Sequence, residues 1–83
     1  TYVLVNEYPL PGDEMILFHL DLFRLSSPNA ELASLGIEEM LTEGILVVEW
    51  GGRAEHFFPV PHYSIDIEIQ GADSRRFVCQ TVD

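Results

Sequence analysis

The feature that most constrains the fold is the unbroken apolar run from Ile45 to Val48, which Glu49, Trp50 and two glycines follow. An uninterrupted run rich in β-branched residues predicts a strand buried on both faces, as in a parallel sheet covered by helices. Glu49 then lies at the carboxyl end of that strand, where open α/β sheets bind ligands. A carboxylate there could hold Mg²⁺, directly or through water, or orient an attacking water. The alternative is a strand that runs out to solvent and ends in Glu for no chemical reason.

Two segments near the start of the chain predict a pair of strands. Residues 1–8 and 15–23 are rich in β-branched, aromatic and other apolar residues, and a turn containing Pro and Gly separates them. This arrangement predicts an antiparallel hairpin. The second half of the second strand alternates, with His19 and Asp21 on one side and leucines on the other.

Short helices are predicted between the second strand and the apolar run. Ser26 and Ser27 before Pro28 are typical of a helix start, Gly36 predicts a break, and Gly44 predicts the end. The apolar residues of this stretch predict its buried face: Leu32, Leu35, Met40 and Leu41.

A second hairpin is predicted near the end of the chain. Residues 63–69 alternate strictly, and residues 76–82 follow after a turn as the partner strand. Alternation predicts one buried and one wet face. The side predicted to point inward consists of Tyr63, Ile65, Ile67 and Ile69.

Composition limits the classes of function. The 83 residues form one domain at most, and 14 acidic against 4 basic residues give a formal charge of −10. All four basic residues are Arg, so no basic patch is large enough for strong direct binding of nucleic acid. No apolar run approaches the roughly 20 residues of a transmembrane helix, so no membrane association is expected. Cys79 is the only cysteine, which fits a reducing compartment.

His19 and Asp21 form a second polar cluster. Two residues apart on a strand, they point the same way and could flank a metal, a phosphate or a water. The alternative is a strand end that becomes polar at the surface. The three His and Cys79 lack zinc-type spacing, and a glycosidase-like pair of Asp21 and Glu49 would need an aromatic-lined sugar groove. Trp50 could stack on a base or a partner, or could simply pack at the rim of the core.

Four motifs, taken in order along the chain, resemble one family. They are Thr1-Tyr2 with the strand after it, His19-x-Asp21-x-Phe23-Arg24, Leu35-Gly36-Ile37, and Val48-Glu49-Trp50. In this order they resemble the TsaE (YjeE) P-loop ATPases, which serve bacterial synthesis of threonylcarbamoyladenosine in transfer RNA. The resemblance covers residues 1 to about 70. The His-x-Asp-x-aromatic-Arg and Val-Glu-Trp motifs are specific in combination.

The resemblance implies roles for four residues. Asp21 matches the family's essential Asp and Glu49 its Walker-B-like acid, which makes both of them candidate catalytic and Mg²⁺-binding residues. Thr1 matches a switch-like segment near the nucleotide phosphates, and Trp50 matches a functionally important Trp, so these two are candidates for cofactor binding. The implied cofactors are Mg²⁺ and ATP. The implied partners are proteins of the TsaB and TsaD type, in the cytoplasm.

The family's phosphate-binding loop, Gly-x-x-x-x-Gly-Lys-[Ser/Thr], has no counterpart here. In the family it precedes the Thr-Tyr segment, and this chain contains no Lys. The expected fold class is therefore α/β, the C-terminal part of a P-loop NTPase-like sheet, with mixed parallel and antiparallel strands, one or two short helices and a C-terminal β-hairpin. Residues 1–83 would form a single partial domain, inactive alone, that supplies the carboxylates of an ATPase. The alternative is a non-catalytic interaction fragment or protein-binding module of the same complex. Uncovered strand edges also predict a homodimer, through residues 2–8 or 45–48.

Overall fold

The structure, a computed structural model, describes residues 5–12, 14–23 and 28–83. The elements in chain order are strands β1 (Val5–Pro9) and β2 (Ile16–Asp21), helices α1 (Pro28–Leu32) and α2 (Ile37–Glu43), strand β3 (Gly44–Glu49), a 3₁₀ segment (Gly51–Phe57), and strands β4 (His62–Ile69) and β5 (Arg75–Val82). The predicted helix start at residues 26–27, the site candidate Thr1 and the motif residue Arg24 lie outside the described residues.

The strands form two sheets. One contains three strands in the order β1-β2-β3, and the other is the hairpin β4-β5. β1 pairs antiparallel with β2, whereas β2 and β3 are parallel, because the two helices carry the chain back between them. The α/β class, the mixed sheet and the C-terminal hairpin predicted from the sequence are all confirmed. None of the helices in the described part of the chain is long and apolar enough to cross a membrane.

The core forms on one side of the central strand β2. Phe18, Leu20 and Leu22 are two residues apart, so they point to the same face, and all three are buried. α1, α2 and the 3₁₀ segment each contribute one buried residue to this cluster, namely Leu32, Ile37 and Ala54. Burying this face of β2 leaves the opposite face, with His19 and Asp21, towards solvent.

The helices differ from the prediction in one respect. Leu32 is buried and Leu35 and Met40 pack against the core, as predicted, but Leu41 is 39% exposed and Ile37 is buried instead. Gly36 adopts a left-handed conformation with φ of 79° between the two helices. Because of this break, α2 does not continue the helical turn of α1. The spacing of apolar residues counted from Leu32 therefore does not predict which face of α2 is buried.

The predicted burial of β3 on both faces is wrong for the described chain. Leu46 and Val48 pack against the core, but Ile45 is 46% and Val47 44% exposed. β3 lies at an edge of its sheet, and no described element covers its second face. The apolar run therefore predicted the strand and its parallel pairing correctly, but not its cover.

The predicted orientation of the hairpin is also wrong. Tyr63, Ile65, Ile67 and Ile69 are all more than half exposed rather than buried. Their partners on β5 add Phe77, which lies opposite Ile67 and is also exposed. A two-stranded hairpin can only bury a face against another element, and none of the described elements packs on this one. We call these five residues the apolar hairpin face.

Candidate functional site

Asp21 and Glu49 lie side by side at the carboxyl ends of neighbouring parallel strands. In the ladder between β2 and β3 they are direct register partners. Side chains alternate between faces along a strand, so partners in register project from the same face. Both residues are exposed, and the ladder continues past them, because the Leu22 N–H donates to the Glu49 carbonyl over 3.0 Å. The structure thus brings together the two carboxylates that the sequence singled out.

His19 contacts Glu49. Its Nε2 lies 2.6 Å from Glu49 Oε1, and since an ionised carboxylate only accepts, Nε2–H is the donor. The sequence analysis grouped His19 with Asp21 on one strand and missed this contact. His19 faces Val47 in register, two residues before the level of Glu49, so its ring crosses diagonally to the neighbouring strand. The contact orients one oxygen of Glu49.

Asp21 ends β2 with a local turn. Its Oδ1 accepts a hydrogen bond from the Phe23 N–H at 3.0 Å, the arrangement of an Asx turn. Among the described residues, neither Asp21 Oδ2 nor Glu49 Oε2 has a hydrogen-bond partner. Within the described part of the chain, each carboxylate is therefore held through one oxygen, and its other oxygen binds no described residue.

Trp50 follows Glu49 in an unusual backbone conformation. Its φ of 61° and ψ of 33° are left-handed, and in the described chain it is the only non-glycine residue with positive φ. Such a conformation is a genuine outlier for a bulky residue and persists only where its surroundings hold it. The Trp50 and Phe23 ring centroids are 4.8 Å apart, with an angle of 42° between planes. At 58% and 52% exposed, the two rings form an accessible aromatic pair beside the carboxylates.

Arg53, in the 3₁₀ segment, makes hydrogen bonds to the segments that follow β2 and β3. Its Nη1 donates to the Leu22 carbonyl at 2.6 Å and to the Phe23 carbonyl at 2.9 Å. Its backbone N–H also donates to the Trp50 carbonyl at 3.2 Å. Sequence reasoning missed Arg53, because no local signal links it to residues about 30 positions earlier.

The donor set limits which metal could bind. The described residues contain no group of three or more His, Cys, Asp or Glu side chains that could hold a metal ion. A site with only Asp21 and Glu49 suits Mg²⁺, which keeps several waters and is bound through one or two carboxylates plus phosphate oxygens. The second oxygen of each carboxylate, which binds no residue in the described ranges, fits this mode of binding.

Comparison with known proteins decides the family. The model of the family described as "Threonylcarbamoyl adenosine biosynthesis protein TsaE" matches residues 1–78. The chain belongs to the TsaE family. The match extends beyond the resemblance read from the motifs and includes the first part of β5.

Curated TsaE proteins are similar over most of the chain. It is 32% identical over 75 residues to the tRNA threonylcarbamoyladenosine biosynthesis protein TsaE of Rickettsia bellii. The aligned residues make up 90% of this chain and 50% of the Rickettsia bellii protein. The protein of the same name from Haemophilus influenzae is 33% identical over 69 residues, 82% of this chain and 42% of its own length. The protein of the same name from Streptomyces coelicolor is 38% identical over 56 residues, which make up 66% of this chain and 38% of the Streptomyces coelicolor protein. The chain thus spans about half the length, or less, of these TsaE relatives.

Proposed function

We propose that this chain supplies the acidic side of a magnesium-dependent ATP site in an enzyme of tRNA threonylcarbamoyladenosine biosynthesis. The observation that carries the proposal is the direct pairing of Asp21 with Glu49 at the carboxyl ends of parallel strands. This is where nucleotide-binding α/β sheets place their ligands. The names of the TsaE relatives supply the biosynthetic process.

The two carboxylates would have different roles in binding Mg²⁺ and in catalysis. Glu49 would hold Mg²⁺ through its second oxygen, directly or through water, while His19 fixes the other oxygen. Asp21 would act beside it, as a second metal contact or by orienting a water that attacks the phosphate. When bound, Mg²⁺ would neutralise charge that develops on the phosphate oxygens.

The remaining assignments rest on the family. Trp50 would contact the nucleotide, and its exposed indole beside Phe23 offers a surface for stacking. Thr1 would lie near the phosphates. Partner proteins of the TsaB and TsaD type would bring the transfer RNA, because a chain of net charge −10 is a poor direct ligand for a polyanion.

The test is complementation with the complete gene product. Asp21→Asn and Glu49→Gln keep side-chain size but remove the charge that a divalent cation needs. In a bacterium without its own TsaE-family protein, we expect both variants to fail to restore threonylcarbamoyladenosine in transfer RNA, measured by mass spectrometry. Asp66→Asn and Glu68→Gln, the same changes on the exposed hairpin strand β4, should restore it fully. Restoration by both site variants would refute the proposed site.

A second measurement concerns the chain alone. Phosphoryl transfer depends almost wholly on positioning and charge stabilisation, and the chain has no Lys with which to build the family's phosphate loop. We therefore expect isothermal titration with Mg-ATP to show neither tight binding nor hydrolysis. Micromolar binding by the verified 83-residue chain would mean that the site is misplaced.

The second candidate is a non-catalytic interaction module of the same complex. The apolar hairpin face favours it, since contiguous exposed apolar surface marks contact sites. Complementation separates the two functions. An interaction module would keep its function in Asp21→Asn and Glu49→Gln and lose it when Ile65 and Ile67 are replaced by Ser.

A further inference from the structure

One guanidinium group links the two chain segments that follow the strand ends of the candidate site. β2 ends at Asp21 and β3 at Glu49, and one further backbone hydrogen bond, from the Leu22 N–H to the Glu49 carbonyl, follows the ladder. Arg53 lies four residues beyond Glu49 but binds the carbonyls of Leu22 and Phe23, directly after Asp21. The chain segments that carry both carboxylates are therefore joined through Arg53.

The geometry of this contact favours Arg over Lys. Nη1 of a guanidinium carries two N–H groups, so it can donate to both carbonyls at once. A lysine ammonium is a compact point charge on a flexible stem and lacks the planar fork. The two acceptors belong to the turn that the Asp21 carboxylate closes through the Phe23 N–H, so Arg53 and Asp21 fix the same turn from opposite ends.

Arg53 also acts on Trp50 by two routes. Its backbone N–H donates to the Trp50 carbonyl, which closes the turn directly after Trp50 and is a contact that other residues at position 53 would also make. Its side chain fixes Phe23, whose ring packs on the indole. Only the second route depends on the Arg side chain, so replacing Arg53 should release the indole from Phe23.

We propose that Arg53 is the positioning residue of this site: it clamps the turn after β2 to the segment after β3, and so holds Asp21 in place and Trp50 against Phe23. Its importance for activity rests on the function proposed above, whereas its effect on Trp50 and Phe23 does not.

The test compares two arginines that make the same kind of contact. Arg75 Nη1 also donates to two carbonyls, of Gly71 and Ser74, but within the turn of the distant hairpin. We expect Arg53→Gln to lose the nuclear Overhauser effects between the Phe23 and Trp50 rings, but to keep the short amide-to-α-proton distance that positive φ gives Trp50, because the backbone contact remains. Trp50 is the only tryptophan of the chain, so its indole signals are assigned without ambiguity. Arg75→Gln should keep the ring contacts, and Arg53→Lys, whose ammonium has donors for both carbonyls but a flexible stem and no planar fork, should keep them in part.

Each outcome decides the inference. Unchanged contacts between the Phe23 and Trp50 rings in a folded Arg53→Gln variant would overturn it. Global unfolding of both Arg53 variants, seen as loss of the far-ultraviolet circular dichroism signal while Arg75→Gln stays folded, would also overturn it, because Arg53 would then hold the whole fold. In the complete gene product, Arg53→Gln should raise the Mg²⁺ concentration for half-maximal ATP hydrolysis, with partial rescue by Arg53→Lys. If the wild type hydrolyses no ATP but the Trp50 signals change as expected, the proposed function fails and the positioning role remains.

Discussion

Replacing Gly44 with Ala should destabilise the fold through a single contact. Gly44 begins β3 and pairs with Ile16 at the start of the parallel ladder. A Cβ built on Gly44 would lie 1.8 Å from the Ile16 carbonyl oxygen and 2.7 Å from the Ile16 nitrogen. Gly44 has a φ of 175°, which any residue can adopt, so the effect is purely steric. Because the obstacle is backbone rather than a flexible side chain, one of the two strands must move away.

The expected cost lies at the upper end of the range for overpacking, about 3 kcal/mol. A chain of 83 residues has a total stability of roughly 4–12 kcal/mol, so this is a large share. At roughly 4–8 °C per kcal/mol for a domain of this size, the melting temperature should fall by about 12–24 °C. Urea titration followed by circular dichroism measures the free energy of unfolding, and a thermal scan measures the shift.

The matched control is Gly71→Ala. A Cβ at Gly71 meets no atom within 4 Å, and its φ is not positive. Alanine there should be neutral or stabilise slightly, by up to about 1 kcal/mol, because it restricts the unfolded chain. If Gly44→Ala unfolds within about 0.5 kcal/mol of the wild type, the ladder tolerates displacement at its start and the steric reasoning is wrong.

Two further predictions concern the core and the uncovered surfaces. Leu20→Ala removes a fully buried side chain from the central strand and should lower the free energy of unfolding by about 2–5 kcal/mol, measured by urea titration. Leu41→Ala, at an exposed position, should lower it by under about 1 kcal/mol. Equal losses of stability in the two variants would contradict the assigned core. The chain should also self-associate through its uncovered apolar surface, at the exposed edge of β3 or at β1, so the mass by light scattering should exceed 9.4 kDa as concentration rises. Added salt should strengthen this association by screening the charge of −10, and a constant 9.4 kDa at all concentrations, with little binding of a hydrophobic dye, would refute it.

Local patterns were sufficient to predict most of the elements. The apolar run ending at Glu49 predicted a strand in a parallel pair, and the alternation from Tyr63 predicted a hairpin. What these patterns did not predict is what covers each face. Alternation identifies the apolar side of a strand, but burial depends on another element lying against it, and for Ile45 and Ile67 no described element does.

The site shows the same division between local and long-range information. Glu49 and Asp21 could be singled out because each ends a strand. The His19–Glu49 and Arg53–Phe23 contacts join residues 30 positions apart, so they depend on strand register and on the path of the 3₁₀ segment. The left-handed conformation of Trp50 carries no sequence signal at all, since the residue types that usually adopt it are Gly, Asn and Asp.

The acidic pair therefore depends on register as much as on its two residues. A one-residue slip of β3 would turn Glu49 to the opposite face of the sheet and leave an apolar side chain or Trp50 beside Asp21. Two backbone contacts bracket the ladder: the close approach of Gly44 to Ile16 at its start, and the hydrogen bond to the Glu49 carbonyl past its end. A glycine at the opposite end of the strand thus fixes where the carboxylate lies. Gly44→Ala should then disturb the His19–Glu49 contact as well as stability, because both follow from the same displacement of β3.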